Sequence, residues 1–338
     1  MLAEFAFTPS IFDETAHRDS EAWREQLREL GSNMFPRTAA WPVMISNLYA
    51  GSWESIASSV VKAIKDPKAR VLCEHILTNA AKTLVHRPAK GDWPGEEALD
   101  WGREALTSNV DEPIDRIVAC KPAHEILSKE SRFVRCIDEV QDSGFWKDVE
   151  SPWAQTMRIN AQVDSLRKLC VHAEFLCLVT PHINGGSDDE TDFALEMIRS
   201  SFHRPADYAS PEIEIHTEAP ANPGSSDFPD RLRKFSGNVT GSIRSILAPG
   251  HKVRLVLWPR LLDRYVLAGI YSEMPDSSKG RSPRWGVSMP HIARRADERA
   301  SKPPTPWSLL TRSQLLDEFD RYCKSCVTGF VHAVDVVR

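Results

Sequence analysis

Short apolar runs in the second half of the chain alternate with segments of helical periodicity. The runs lie at 175–180, 212–216 and 254–258, and the segments between them repeat apolar residues at helical spacing. Because a strand–helix–strand order needs crossover connections, it predicts parallel pairing of these strands. The pattern therefore indicates an α/β domain over residues 173–338 with a mixed, largely parallel sheet.

Helical segments outnumber strand-like ones in the first half, which predicts a helix-rich α+β domain over residues 1–150. No catalytic motif is recognisable there. Arg87, beside a proline in a predicted loop, is interpreted as a surface or hinge residue. Ser151 and Pro152 suit a helix cap and a first helical position, so they predict a helix over 151–172 that connects the two domains.

Composition and charge argue against several classes of function. The net charge of −5 is unlike that of a uniformly basic nucleic-acid binder. No run approaches the roughly 18 apolar residues needed to span a bilayer, and the N-terminus lacks the basic region of a signal peptide. The seven cysteines are scattered through apolar surroundings, as reduced and buried thiols are. We therefore expect a cytoplasmic chain that does not contact a membrane.

Polar residues at predicted strand ends form the candidate catalytic site. The candidates are His182, His216, Asp263, Arg264 and His291, with Glu214 beside His216. An acid, a cation and several imidazoles could serve acid–base or metal-dependent cleavage of a phosphodiester. The structural alternative, which we favour, is that Asp263 and Arg264 pair with each other or with neighbouring strands while the histidines cap strand ends.

The strongest local excess of positive charge lies between Lys279 and Lys302, where seven basic residues face two acidic ones. Such a cluster could contact the phosphates of DNA or RNA. The candidate contacts are Lys279, Arg281, Arg284, Arg294, Arg295 and Arg299. A solvated loop and helix face would give the same pattern, and both interpretations stay open.

Only one pair of cysteines has the spacing of metal ligands, Cys323-x-x-Cys326. A zinc site needs two further ligands, and Cys170, His172, Cys177 and His332 show no second-pair spacing. Buried thiols are therefore the preferred interpretation, and no metal is expected. The sequence has no Walker-type loop or dinucleotide fingerprint, so no cofactor is expected either.

Four segments of the second half match a known pattern in the right order. They are 179–182, 213–216, 263–267 and 285–288. With them, residues 170–325 resemble a degenerate, catalytically silent phospholipase D-like domain of uncharacterised bacterial proteins associated with phage defence. The resemblance implies a phospholipase D-like α/β fold for the second domain and does not extend to the first half.

Active members of that superfamily carry His-x-Lys-x4-Asp, in which the histidine attacks phosphorus and the lysine holds the phosphate oxygens. This frame places Leu262, Arg264 and Gly269 at the three positions. Leucine cannot form a phosphohistidine, so only the cation survives. The strand at 175–180 also differs from the family pattern, because it ends in Thr180-Pro181-His182 where members of the family have Asp-Pro-His. The resemblance therefore implies a fold kept without the phosphodiesterase chemistry.

These observations predict a non-catalytic adaptor or sensor subunit of a multi-protein bacterial system, of the anti-phage kind. Its expected partners are other protein subunits, such as an ATPase or a nuclease, or DNA or RNA. The alternative is a metal-dependent nuclease or phosphodiesterase with a non-standard site built from His182, His216, Asp263 and Arg264.

Overall fold

The computed structural model describes residues 2–37, 40–92, 95, 97–142, 144–146, 159–186, 188–220, 223–272, 280–290, 292, 307–323 and 329–338. The chain divides into two compact units, Met1–Ser151 and Pro152–Arg338. No helix within these ranges is long and apolar enough to cross a membrane.

The first unit is built on a parallel sheet. Its strands are β1 (Ala3–Phe7), β2 (Val43–Asn47), β3 (Leu84–His86), β4 (Arg116–Ala119) and β5 (Val134–Cys136). Its helices are α1 (Ser20–Met34), α2 (Leu48–Ala63), α3 (Pro67–Ala80), α4 (Ala98–Asp111) and α5 (Lys121–Leu127). The strand order is β3-β2-β1-β4-β5, and every pair is parallel. This corrects the predicted α+β arrangement, since helical connections between the strands allow each of them to run in the same direction.

Burial in the first unit follows from that topology. The central strand β1 is buried along its whole length, as expected when helices cover both faces of a parallel sheet. Helix α1 begins where the Asp19 side chain accepts hydrogen bonds from the backbone N–H groups of Glu21 and Ala22. Trp23 and Leu27 of this helix lie on its buried face at helical spacing.

The second unit is built on a mixed sheet. Its strands are β6 (Phe175–Val179), β7 (Glu212–Glu218), β8 (Lys252–Trp258), β9 (Tyr265–Ser272), β10 (Gly280–Ser288), β11 (Ser308–Leu309) and β12 (His332–Val337). Its helices are α6 (Ile159–Ser165), α7 (Arg167–His172), α8 (Asp189–Phe202), α9 (Phe228–Ile246) and α10 (Arg312–Tyr322). The strand order is β11-β10-β9-β6-β7-β8-β12.

The predicted α/β class and the mixed sheet are confirmed, but parallel pairing is confined to β6, β7 and β8. The other four strand pairs are antiparallel. The reason lies in residues 259–264, which join β8 to β9 and are too few for a crossover of about a dozen residues. The chain therefore reverses, and β9 pairs antiparallel with β6.

This reversal brings polar residues together at one end of the central strands of the second sheet. The carboxyl ends of β6, β7 and β8 lie there, and so does the amino end of β9, because Val179 pairs with Tyr265. We call this region the carboxyl edge and define it by Thr180–His182, Glu218, Trp258 and Asp263–Tyr265.

Candidate functional site

Arg264, at the amino end of β9, is bound to the first turn of α8. Its Nε and Nη2 groups donate to Glu190 Oε1 at 3.0 and 2.7 Å. The other oxygen of the same carboxylate accepts hydrogen bonds from the Thr180 hydroxyl and, at 3.1 Å, from the backbone N–H of His182. Glu190 therefore joins the start of β9 to the end of β6, and its negative charge faces the guanidinium of Arg264.

Asp263 precedes Arg264 in the chain but contacts a different helix. Its Oδ2 accepts hydrogen bonds from Arg321 Nη1 at 3.2 Å and from the Tyr322 hydroxyl at 3.3 Å, both at the end of α10. Asp263 and Arg264 thus pair with separate helices, each with an oppositely charged partner.

His216 lies on β7 with both ring nitrogens engaged. Trp258 Nε1 donates to His216 Nδ1 at 2.9 Å, and His216 Nε2 lies 3.5 Å from Glu214 Oε2. An indole N–H can only donate, so Nδ1 must be unprotonated and the ring proton resides on Nε2, facing the carboxylate. Burial lowers the pKa of His216, which agrees with this neutral tautomer.

Glu214 carries the negative charge of this buried group. Burial by itself would raise its pKa, but hydrogen bonds from His216 and Arg281, together with the charge of Arg281, lower the pKa of Glu214 to about 2. Arg281 Nη2 lies 3.0 Å from Glu214 Oε1 and 2.5 Å from Glu212 Oε1. The guanidinium also lies over the Phe175 ring, 5.5 Å from its centroid.

His182 is the candidate whose side chain is most open to solvent. Its imidazole makes no hydrogen bond with any residue in the described ranges. It lines a cleft of about 280 Å³ together with Asn184, Glu218 and Phe235. A separate cleft of about 500 Å³ at the carboxyl edge contains Trp258, Asp263 and Arg321.

The structure therefore distributes the predicted site residues over three networks. His182 and Arg264 share Glu190, whereas His216 belongs to the Glu214 group and Asp263 to the end of α10. His291 lies outside the described residues, as do five of the seven basic residues of the predicted cluster, Lys279, Arg294, Arg295, Arg299 and Lys302.

The two described members of the basic cluster have contacts within the unit. Arg281 faces the carboxylates of Glu212 and Glu214. The backbone carbonyl of Arg284 accepts a hydrogen bond from Arg312 Nη1 at 3.4 Å. Arg281 is therefore part of the internal charge balance of the second unit.

Sequence reasoning missed four residues that complete these networks: Glu190, Trp258, Arg321 and Tyr322. Glu190 belongs to an acidic run whose first residue, Asp188, caps α8 by accepting from the Thr191 backbone N–H at 2.9 Å. The contact of Glu190 with Arg264 spans 74 residues, and no local spacing signals it.

No group of three or more His, Cys, Asp or Glu side chains within the described ranges has a geometry that could hold a metal ion. Cys323 is buried in the same apolar cluster as Cys177, and burial raises the pKa of the Cys177 thiol. Cys326, the second residue of the predicted metal-like pair, lies outside the described residues.

Comparison of the chain with protein-family models, with curated proteins and with solved structures finds no match. The resemblance to phospholipase D-like domains therefore rests on the four sequence segments alone.

Proposed function

We propose that this chain is a non-catalytic adaptor or sensor subunit of a multi-protein bacterial system of the anti-phage kind. In this proposal the second unit is an inactive phospholipase D-like module that binds a partner without cleaving it. The observation that supports the proposal is the internal pairing of the candidate acid and cation at the carboxyl edge, together with that of the buried His216 imidazole with Trp258 of the same edge.

The pairing bears directly on the chemistry. A general base needs a free lone pair, and the only lone pair of the neutral His216 ring accepts from Trp258. A phosphate held by Arg264 would have to compete with the Glu190 carboxylate, which already makes two charge-assisted hydrogen bonds to it. Leu262, at the position of the nucleophile in active relatives, is 67% exposed and cannot attack phosphorus.

Other protein subunits, such as an ATPase or a nuclease, are the partners that the described residues favour. Arg264 and Arg281 each face carboxylates of their own unit, which reduces the positive potential available to a nucleic-acid backbone. DNA or RNA would contact the remaining basic residues between Lys279 and Lys302.

A metal-dependent nuclease or phosphodiesterase is the second candidate. The observation that favours it is the exposed imidazole of His182, which lines the same cleft as the Glu218 carboxylate. An imidazole and a carboxylate in one open cleft are groups that could share acid–base work on a bound phosphodiester.

A cleavage assay separates the two candidates. Purified full-length chain would be incubated with single- and double-stranded DNA and RNA in the presence of Mg²⁺, Mn²⁺ or Zn²⁺, and we expect no cleavage above the buffer control. Cleavage that is lost in His182→Ala or Asp263→Ala, but kept in His203→Ala as the matched histidine control, would overturn the adaptor proposal.

A second experiment identifies the class of partner. Tagged full-length chain recovered from its bacterial host should retain a protein in fixed stoichiometry, and nuclease treatment should not release it. Fluorescence anisotropy at low salt would measure direct binding of DNA and RNA. A chain that retains no protein and binds neither nucleic acid would contradict the proposal.

A further inference from the structure

The two sheets end in four edge strands of unequal length. Strands β3 and β5 have three residues each and β11 has two, whereas β12 has six. An edge strand presents unpaired N–H and C=O groups that can template pairing with another strand, and short edges limit this risk. Of these four edges, only β12 offers a long run of such groups.

Strand β12 also lacks three of the features that block edge pairing, namely a bulge, a proline and a lysine. Its six residues pair with β8 in continuous register from His332 to Val337, without a bulge. It contains neither proline nor lysine. Its single charge, Asp335, is offset within the chain by Lys252, whose Nζ lies 2.9 Å from Asp335 Oδ2. Strand β10, by contrast, has a register shift between Pro283 and Trp285.

The side chains of β12 alternate between the two faces of the sheet. Val334 and Val336 pair with Leu255 and Val253, whose side chains are buried, and Val336 is itself buried. Ala333 and Asp335 therefore lie on the opposite face. Within the described ranges β12 has a strand on one side only, so no described strand uses the backbone groups of its outer side.

We propose that β12 pairs antiparallel with β12 of a second copy of this chain, around a twofold axis at Val334. The pairing would join two seven-stranded sheets into one continuous sheet. It is independent of the proposed adaptor function, because it needs none of the side chains at the carboxyl edge.

The register follows from symmetry and charge. Directly opposed residues in an antiparallel pair share a face, so a twofold axis must place one residue opposite itself. An axis at Asp335 would oppose two carboxylates, which is destabilising. An axis at Ala333 would leave Asp335, Val336 and Val337 outside the pairing, and an axis at Val336 would leave out His332, Ala333 and Val334. An axis at Val334 opposes two valines and places Ala333 against Asp335 of the second copy.

Substitutions of opposite charge at Ala333 test this register. Sedimentation equilibrium of the full-length chain should show a concentration-dependent dimer. Ala333→Lys, facing Asp335 of the second copy at two symmetric positions, should tighten the dimer about threefold to tenfold, and Ala333→Glu should weaken it by a similar factor. A wild-type chain that stays monomeric at high micromolar concentration, or two variants that shift the dimer in the same direction, would overturn the proposal.

Cross-linking provides a readout that does not depend on affinity. Val334→Cys places two thiols opposite each other, so mild oxidation should yield a covalent dimer on non-reducing gels. The control is Val337→Cys, which is half exposed but not opposed to its own copy, and which should stay uncross-linked. Unchanged far-UV circular dichroism would show that both variants fold. Equal cross-linking of the two folded variants, or none in either, would contradict the register.

Discussion

One charged pair of the first unit and one of the second lie in opposite environments. In the first unit, Glu4 and Arg87 are both fully buried, and the guanidinium donates to both carboxylate oxygens at 2.7 and 2.8 Å. Ser46 donates to Glu4 at 2.6 Å, and Arg87 Nη1 donates to the Ser108 carbonyl and hydroxyl oxygens at 3.1 and 3.0 Å. Such a pair is surrounded by hydrogen-bonding partners and has no access to water.

In the second unit, Asp263 and Arg321 are 39% and 55% exposed. The side chains of Glu214 and Arg281 are 7% and 17% exposed, which places this pair between the buried Glu4–Arg87 pair and the exposed Asp263–Arg321 pair. Breaking a buried pair leaves an uncompensated charge, whereas water solvates the members of an exposed pair. The comparison shows that the Glu4–Arg87 pair helps to maintain the fold of the first unit, while the exposed Asp263–Arg321 pair of the second unit can change partners at small cost.

The largest expected effect is in the first unit. Arg87→Met leaves the Glu4 carboxylate buried without a cation, and we expect the free energy of unfolding to fall by about 3–5 kcal/mol. Urea denaturation followed by tryptophan fluorescence would measure it. The double variant Glu4→Gln/Arg87→Met removes both charges and should recover part of the loss. A single-variant loss below about 1 kcal/mol would remove the distinction between the units.

An intermediate effect is expected at Glu214. Glu214→Gln keeps the volume of the side chain but removes the carboxylate that faces Arg281 and His216, and should cost about 1–3 kcal/mol. Glu212→Gln is the matched control, because Glu212 contacts the same arginine but is 41% exposed. Equal losses in the two variants would show that burial does not set the strength of these pairs.

The same buried group predicts how stability depends on pH. The folded-state pKa of His216 is lowered, so below about pH 6.5 the unfolded chain takes up a proton that the folded chain does not, and stability falls. The pKa of Glu214 is also lowered in the folded state, to about 2. Below about pH 4.3 the unfolded chain therefore takes up a second proton that the folded chain does not, and stability falls further.

Denaturation measured from pH 8 to pH 4 would check the part of this loss that His216 causes. The slope attributable to His216 is limited to about 1.4 kcal/mol per pH unit. It should disappear below about pH 6.5 in His216→Gln and persist in His203→Ala. A slope unchanged by His216→Gln would mean that other groups cause the pH dependence.

The smallest effect is expected at the exposed pair. Asp263→Asn removes one charge of the contact with Arg321 while keeping its shape, and should change the free energy of unfolding by about 1 kcal/mol or less. The difference should shrink further at high salt, because exposed charges are screened. A loss comparable to that of Arg87→Met would contradict the contrast between the units.

Local structure in the second unit could be predicted from the sequence because it depends on neighbouring residues. The apolar run at 175–180 and the alternating run at 212–216 contain β6 and much of β7, and the run at 254–258 lies within β8. The helical spacing in 191–202 likewise lies within α8. Periodicity of this kind is a property of a few consecutive residues, and the sequence displays it directly.

Strand pairing and side-chain partners were decided only by the tertiary structure. Arg87 was interpreted as a surface or hinge residue from its loop position, but it is fully buried against Glu4, 83 residues away in the chain. Asp263 and Arg264 find their partners 59 and 74 residues away, on different helices. These contacts depend on the order of the strands in each sheet. The sequence pattern around each residue does not indicate that order.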